Sequence, residues 1–183
     1  MITVIWASPN VDGLTAAAKN MVIEGIKSTE GAEVEIREVH LNKLHMEHCK
    51  ACGDGWGLCK AQGHCVIKDD FEELYQTVKD ANGVVLVTAV YWHDMAECMK
   101  AFVDRMRRCE TGFGRTMVGK KVLLVGCAGG TGRGAVYCLH NMEEALNHMQ
   151  MAAVDRIPVI QFNKGYMLPA LKEAGKAFAN ACE

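Results

Sequence analysis

The chain carries no large excess of charge of either sign. Twenty Lys and Arg against 22 Asp and Glu leave a net charge of −2 over 183 residues. That removes the basic field by which nucleic acid or an anionic membrane surface is gripped. No apolar run approaches the ~20 residues that span a bilayer. The start, Met1-Ile2-Thr3-Val4-Ile5-Trp6, enters an apolar run directly. It lacks the basic start and small-residue cleavage site of a secretory signal. Internal repeats, linkers and low-complexity tracts are absent. So are a Walker A sequence, the Gly-x-Gly-x-x-Gly dinucleotide pattern and a Ser–His–Asp or paired-carboxylate constellation. These absences lead to the expectation of one domain over residues 1–183, in the cytoplasm, with neither nucleic acid nor membrane as partner. Half of the residues are hydrophobic, enough for a full core at this length.

What is present in quantity is cysteine: nine, an odd number. In a reducing compartment that points to metal or thiol chemistry rather than a disulfide framework. Cys49, Cys52, Cys59 and Cys65 fall within one stretch, residues 42–69, which has no helix or strand period of its own. A connection that long is usually functional or disordered. Four soft thiolates this close suit an iron–sulfur cluster or zinc, and free thiols are the third reading. Cys98, Cys109, Cys127, Cys138 and Cys182 are scattered through periodic segments and read as small buried hydrophobes.

Around this insertion, short β-branched runs at 2–7, 33–39, 83–88, 121–127 and 152–160 alternate with helical patterns at 15–28, 71–81, 95–108, 134–149 and 168–181. The runs at 83–88 and 121–127 are continuously apolar, as strands covered on both faces are. The alternation predicts an α/β fold, a doubly wound five-stranded parallel sheet with helices on both faces. Asp94 with Glu97, and Asp70 with Glu73, read as capping boxes. Met95, Met99, Phe102, Val103 and Met106 sit at core spacing.

In such a sheet ligands bind beyond the carboxyl ends of the strands. Three loops leave that edge. The first, 7–15, offers two hydroxyls, a glycine and a helix N-terminus, a cradle suited to a terminal phosphate such as that of FMN. The second, 89–93, puts adjacent Tyr91 and Trp92 at a strand end, where aromatic faces can lie along a flat ring. The third, 128–134, has four glycines, which allow close backbone approach. Each loop singly is also compatible with an ordinary turn.

These segments resemble the NAD(P)H-dependent FMN reductase superfamily of flavodoxin-like proteins, and within it the iron–sulfur flavoproteins. The family's Gly-Ser-Pro-Arg-x-x-Gly-Asn-Thr stands here as Ala7-Ser8-Pro9-Asn10-Val11-Asp12-Gly13-Leu14-Thr15. Its Ser-Pro-Val-Tyr-Trp and Lys-Ala-Phe-x-Asp-Arg stand as Thr88-Ala89-Val90-Tyr91-Trp92 and Lys100-Ala101-Phe102-Val103-Asp104-Arg105. Cys65-Val66-Ile67-Lys68-Asp69-Asp70 is similar too. The resemblance implies that Ser8, Asn10, Gly13, Leu14 and Thr15 hold the FMN phosphate. Ala89, Val90, Tyr91 and Trp92, with Gly129 and Gly130, would border the ring. Cys49, Cys52, Cys59 and Cys65 would ligate a [4Fe–4S] cluster. It further implies an FMN-dependent oxidoreductase, a homodimer or homotetramer with FMN near a subunit interface, and no protein residue doing the chemistry. With the cluster, electrons would pass between FMN and a ferredoxin-like partner. Without it, NAD(P)H would reduce FMN for a quinone, free flavin or other small acceptor, or the chain would be a flavodoxin-type carrier. Departures are Asn10 for the family Arg, Leu14 for its Asn, Ala89 for its Pro, and the long gap from Cys52 to Cys59.

Overall fold

The computed structural model describes residues 1–29 and 34–182. Five strands pair in parallel in the order β2-β1-β3-β5-β6, with β1 at Ile2–Ala7, β2 at Ile36–His40, β3 at Gly83–Tyr91, β5 at Lys121–Ala128 and β6 at Ala152–Ile160. A two-residue strand β4, Asp94–Met95, folds back antiparallel on the end of β3. The expected doubly wound sheet is therefore present, with this hairpin added. Glu33, the first residue of the expected second strand, lies outside the described residues.

Strand side chains alternate between two apolar layers. Val84, Leu86, Val122 and Leu124 join one core with helices α3 (Phe71–Asp80), α4 (Glu97–Cys109) and α5 (Arg133–His148). Val85, Val87, Leu123 and Val125 join the other with α1 (Leu14–Lys27) and α6 (Lys164–Ala181). The central strands are buried on both faces, which is why their sequences are unbroken apolar runs. The five residues expected at core spacing are all buried, four of them on α4 and Met95 in β4. Among the described residues no helix is long and apolar enough to cross a membrane.

Three local expectations are corrected. Neither proposed capping box forms: α3 and α4 have no side-chain cap at Asp70 or Ala96. Asp94 is drawn into β4 and accepts from the Met95 N–H at 2.8 Å. Asp70 accepts instead from the His45 N–H at 2.7 Å, and its neighbour Asp69 serves the first N–H of α3, that of Phe71, at 3.2 Å. Helix α6 starts at Lys164, four residues before the expected start, and carries Pro169 inside. Pro169 has no N–H to donate and removes one bond of the intrahelical ladder.

Helices α1 and α6 pack backbone to backbone. A Cβ on Gly25 would stand 1.9 Å from the Lys172 carbonyl oxygen, and one on Gly175 would stand 2.3 Å from that of Val22. Neither carbonyl can retreat without breaking its own helix. Gly25→Ala is expected to lower stability by about 1–3 kcal/mol despite the better helix propensity of alanine. Urea unfolding of the pair checks this, and a variant as stable as the parent would contradict the close packing.

Candidate functional site

Register brings the three loops together. β1, β3 and β5 are neighbours, with Ala7 opposite Thr88 and Ala89 opposite Cys127. The chain therefore leaves the sheet side by side after Ala7, along the end of β3 and after Ala128. Contact between the second and third loops is direct. A Cβ on Gly134 would lie 3.0 Å from His93 Cδ2, and the His93 ring stacks on Tyr137 with centroids 5.2 Å apart.

In the first loop the Ser8 Oγ accepts from the Asn10 N–H (3.2 Å), and the Asn10 Oδ1 accepts from the Asp12 N–H (3.2 Å). These bonds curl the loop toward the start of α1, whose cap Gly13 offers no side chain. The first-turn N–H groups thus remain available as anion donors, with no carboxylate in that turn to repel an anion. Thr15 is buried beside Cys127, where its hydroxyl favours the thiolate; burial dominates and pushes that thiol up to about 12. Leu14 lines an open groove of ≈ 630 Å³ between α1 and α6 with Met21 and Leu168, and its side chain has no polar atom to offer an anion. Only its backbone is placed to serve an anion.

Behind the loop stands a brace not foreseen from the sequence. The His40 Nε2 donates to the Ser8 carbonyl at 2.8 Å, and its ring stacks on Trp6 at 3.7 Å with planes 4° apart. The Trp6 Nε1 donates to Glu38 (3.0 Å), and the same carboxylate pairs with buried Lys19 (2.8 Å).

The second loop is a two-residue hairpin whose central residues, Trp92 and His93, have φ of 48° and 72°. Asn and Gly usually occupy these positions. Trp92 is 98% exposed and Tyr91 43%. Ala89 and Val90 are half-buried beneath them. In the third loop a Cβ at Gly129 or Gly130 would meet nothing within 4 Å, so a flat ligand would find backbone and free space there.

The four insertion cysteines are also brought together. Cys49, Cys52, Cys59 and Cys65 line one small cavity, ≈ 20 Å³, with Cys109, Arg105 and Arg108 from α4. All five are free thiols. The long gap between Cys52 and Cys59 closes through a turn in which the Gly55 N–H donates to the Cys52 carbonyl, with Gly53 and Gly55 at positive φ. The one-turn helix α2, Leu58–Gln62, then carries Cys59 back. It rests on the π-turn Glu110–Gly114, where Gly112 would put a Cβ 2.7 Å from Lys60 Cα. The π-turn is held by buried Glu110, which accepts from the Tyr75 hydroxyl (2.5 Å), the Thr116 hydroxyl (2.7 Å) and the Met117 N–H (3.0 Å).

Arg105 pins the insertion to α4. It is 1% exposed and pairs in bidentate fashion with the Asp69 carboxylate at 2.6 and 2.8 Å, while donating to the Glu47 carbonyl at 2.8 Å. Its guanidinium lies 4.2 Å from the Phe71 ring centre. Burial opposes the Asp69 charge. Hydrogen bonds from Arg105 and from the N–H groups of Glu47 and Phe71 outweigh it and hold the carboxyl below its ordinary value. Cys109 behaves oppositely: burial, reinforced by the nearby Cys59 and Cys65, pushes its thiol up to about 12. Among the described residues no three His, Cys, Asp or Glu side chains are arranged to hold a single metal ion. The thiols border a space instead of closing on a point.

Arg105 had a sequence signal, a charge beside Phe102 and Met106 on the apolar face of α4, but its partner is 36 residues away. Cys109 gave the same signal as any core cysteine, and His40 gave none. The sheet edge with the three loops lies at the Glu97 end of α4 and the thiol cavity at its other end. On the helix rise, Arg105 stands roughly 12 Å along the axis from Glu97.

The architecture is that of the flavodoxin-like α/β proteins. An archaeal flavodoxin superposes with a TM-score of 0.66 at 15% identity, covering 100% of this chain and 99% of that one. An oxidoreductase from Corynebacterium diphtheriae superposes at 0.72 with 15% identity, covering 99% and 94%. The family profile described as NADPH-dependent FMN reductase matches residues 1–164, and the chain belongs to that family. An iron–sulfur flavoprotein of Methanocaldococcus jannaschii is 28% identical over 159 residues, 86% of this chain and 78% of the relative. One from Archaeoglobus fulgidus is 34% identical over 89 residues, 49% of this chain; the match spans only 39% of that relative's length.

Because the Asp69 carboxyl is held down, its contribution to stability is present above pH 3.8, the unfolded value, and is lost as pH falls through the lower folded value. Asp69→Asn strands the Arg105 charge and is expected to cost about 3–5 kcal/mol at neutral pH. Part of the acid-induced loss should vanish with it. Urea unfolding between about pH 3 and 7 checks both, and parallel curves for parent and variant would contradict the assignment.

Proposed function

We propose that the chain is an FMN-dependent oxidoreductase whose flavin occupies the notch between residues 8–15, 89–93 and 128–134. One observation carries this: the adjacent registers of β1, β3 and β5 make three loops of ligand-suited composition neighbours. Ser8, Asn10, Gly13 and Thr15 and the Leu14 N–H would hold the phosphate. His40 would keep the Ser8 peptide in place. Ala89 to Trp92, with Gly129 and Gly130, would border the ring and limit access of water and acceptor. Bound FMN supplies one- and two-electron transfer, and no side chain has to act as acid or base.

In the same reading Cys49, Cys52, Cys59 and Cys65 hold a [4Fe–4S] cluster, which when bound supplies single-electron transfer. The donor set fits: four soft thiolates around a common space, with no preformed single-ion site among the described residues. The glycine-rich turn at 53–57 supplies the freedom to open that space. The electron donor in this reading is a ferredoxin-like protein or NAD(P)H, the acceptor a small molecule such as a quinone, and the chain works as a homodimer or homotetramer in the cytoplasm.

Gly129→Leu is the discriminating variant. Position 129 has free space, so stability should stay within about 0.5 kcal/mol. A leucine in the ring's place should weaken FMN by at least tenfold, about 1.4 kcal/mol. Flavin fluorescence titration reads the affinity. A parent chain that takes up no FMN, or a variant that binds it equally well, would remove this placement. Anaerobic purification with an iron assay tests the cluster: about four irons per chain support it. FMN without iron leaves a plain flavin reductase or, if no small acceptor is turned over, an electron carrier.

A further inference from the structure

Arg105 is the cavity residue whose chemistry the ion pair does not exhaust. One terminal nitrogen serves the Glu47 carbonyl and Asp69, and the other serves Asp69. The Nε is buried and has no partner. A buried donor without an acceptor is costly, so the idle N–H of a fully enclosed guanidinium points to an acceptor on the cavity side. Arg105 lines the thiol cavity together with Cys65, Cys59 and Cys109. The other bordering cations are engaged nearer the surface. Lys50 pairs with Glu47 at 2.6 Å, and Arg108 lies 4.4 Å from the Trp56 ring centre.

We infer that the Arg105 Nε–H is a hydrogen-bond donor to a sulfur of the thiol cavity, and that through it Arg105 sets the electron affinity of the cluster held there. The inference rests on the cluster reading above. Thiolate and sulfide sulfurs gain negative charge when a cluster takes up one electron, and a donor aimed at them favours the reduced form. Asp69 is the positioning residue here, acting on the sulfurs only through Arg105. Asp69 fixes the fork, and the fork fixes the Nε. The pairing also neutralises Arg105 overall, which leaves the local N–H dipole as its effect on the sulfurs.

The test uses the full chain with its cluster, reduced by dithionite. In protein labelled with [15N]arginine, pulsed electron paramagnetic resonance should show a nitrogen coupling to the reduced cluster. The coupling should survive Arg108→Lys and disappear in Arg105→Lys. Arg105→Lys keeps a cation for Asp69 but has no Nε–H. Its midpoint potential should fall by the equivalent of about tenfold in the ratio of reduced to oxidised cluster, about 59 mV for one electron. A merely structural role would lower iron content or thermal stability and leave the potential of the remaining clusters unchanged; that result overturns the inference. Absence of the coupling in the wild-type cluster overturns it as well, even if Arg105→Lys cannot hold iron. A wild-type chain that takes up no iron under anaerobic reconstitution removes the cluster reading and this inference together.

Discussion

The pairing of Arg105 with Asp69 governs where the cysteine insertion lies. Residues 42–69 have little secondary structure with which to hold a position, and their backbone groups need partners once buried. Arg105 and Asp69 supply them together: the guanidinium takes the Glu47 carbonyl, and the carboxylate takes the N–H groups of Glu47 and Phe71. One ion pair thereby clamps the segment entering the cysteines and the segment leaving them against the same turn of α4. Burying such a pair is costly in itself, and losing either partner costs more still, because the other charge is then stranded. The cation over Phe71 and the second donor to Glu47 reduce that cost by using groups that would otherwise be idle.

A second constraint works at the opposite end of α4. The parallel sheet places the ends of β1, β3 and β5 next to one another, so loop composition there is freed from packing. Gly129 and Gly130 border open space, while Gly25 and Gly175 are pressed against backbone. The same residue type thus borders open space in one place and marks a helix contact in another. Between the two ends α4 is apolar toward the sheet, and its last turn passes into a π-turn fixed by buried Glu110. Such turns recur where a helix must present side chains to a site, and here the residue just before it is Cys109.

Much of the fold was legible in the sequence because its signals are local. Val84-Val85-Leu86-Val87 and Val122-Leu123-Leu124-Val125 announce strands covered on both faces, and the spacing of Met99, Phe102, Val103 and Met106 announces a buried helix face. The misses were also local in form but decided elsewhere. Asp70 and Asp94 looked like caps, yet His45 and the β3 hairpin competed for them. Tyr91 and Trp92 were legible as ring-flanking candidates, whereas the positive φ values that lift Trp92 into solvent follow from a hairpin that the composition does not advertise. Leu14 sits in the first loop's motif, but it lines a groove that the neighbouring α6 completes.

By itself the sequence determined the alternation of five parallel strands with five long helices, the doubly wound class, the loops that line the sheet edge and the identity of the sulfur-rich segment. These depend on periodicity, turn chemistry and residue type, all readable over a few positions. Only the tertiary structure decided that Cys109 joins the four insertion cysteines, that Asp69 belongs to Arg105, and that His40 props Ser8. Each of those is a meeting of residues 32 or more positions apart. Such meetings are set by strand order and helix packing, which no short window of sequence contains.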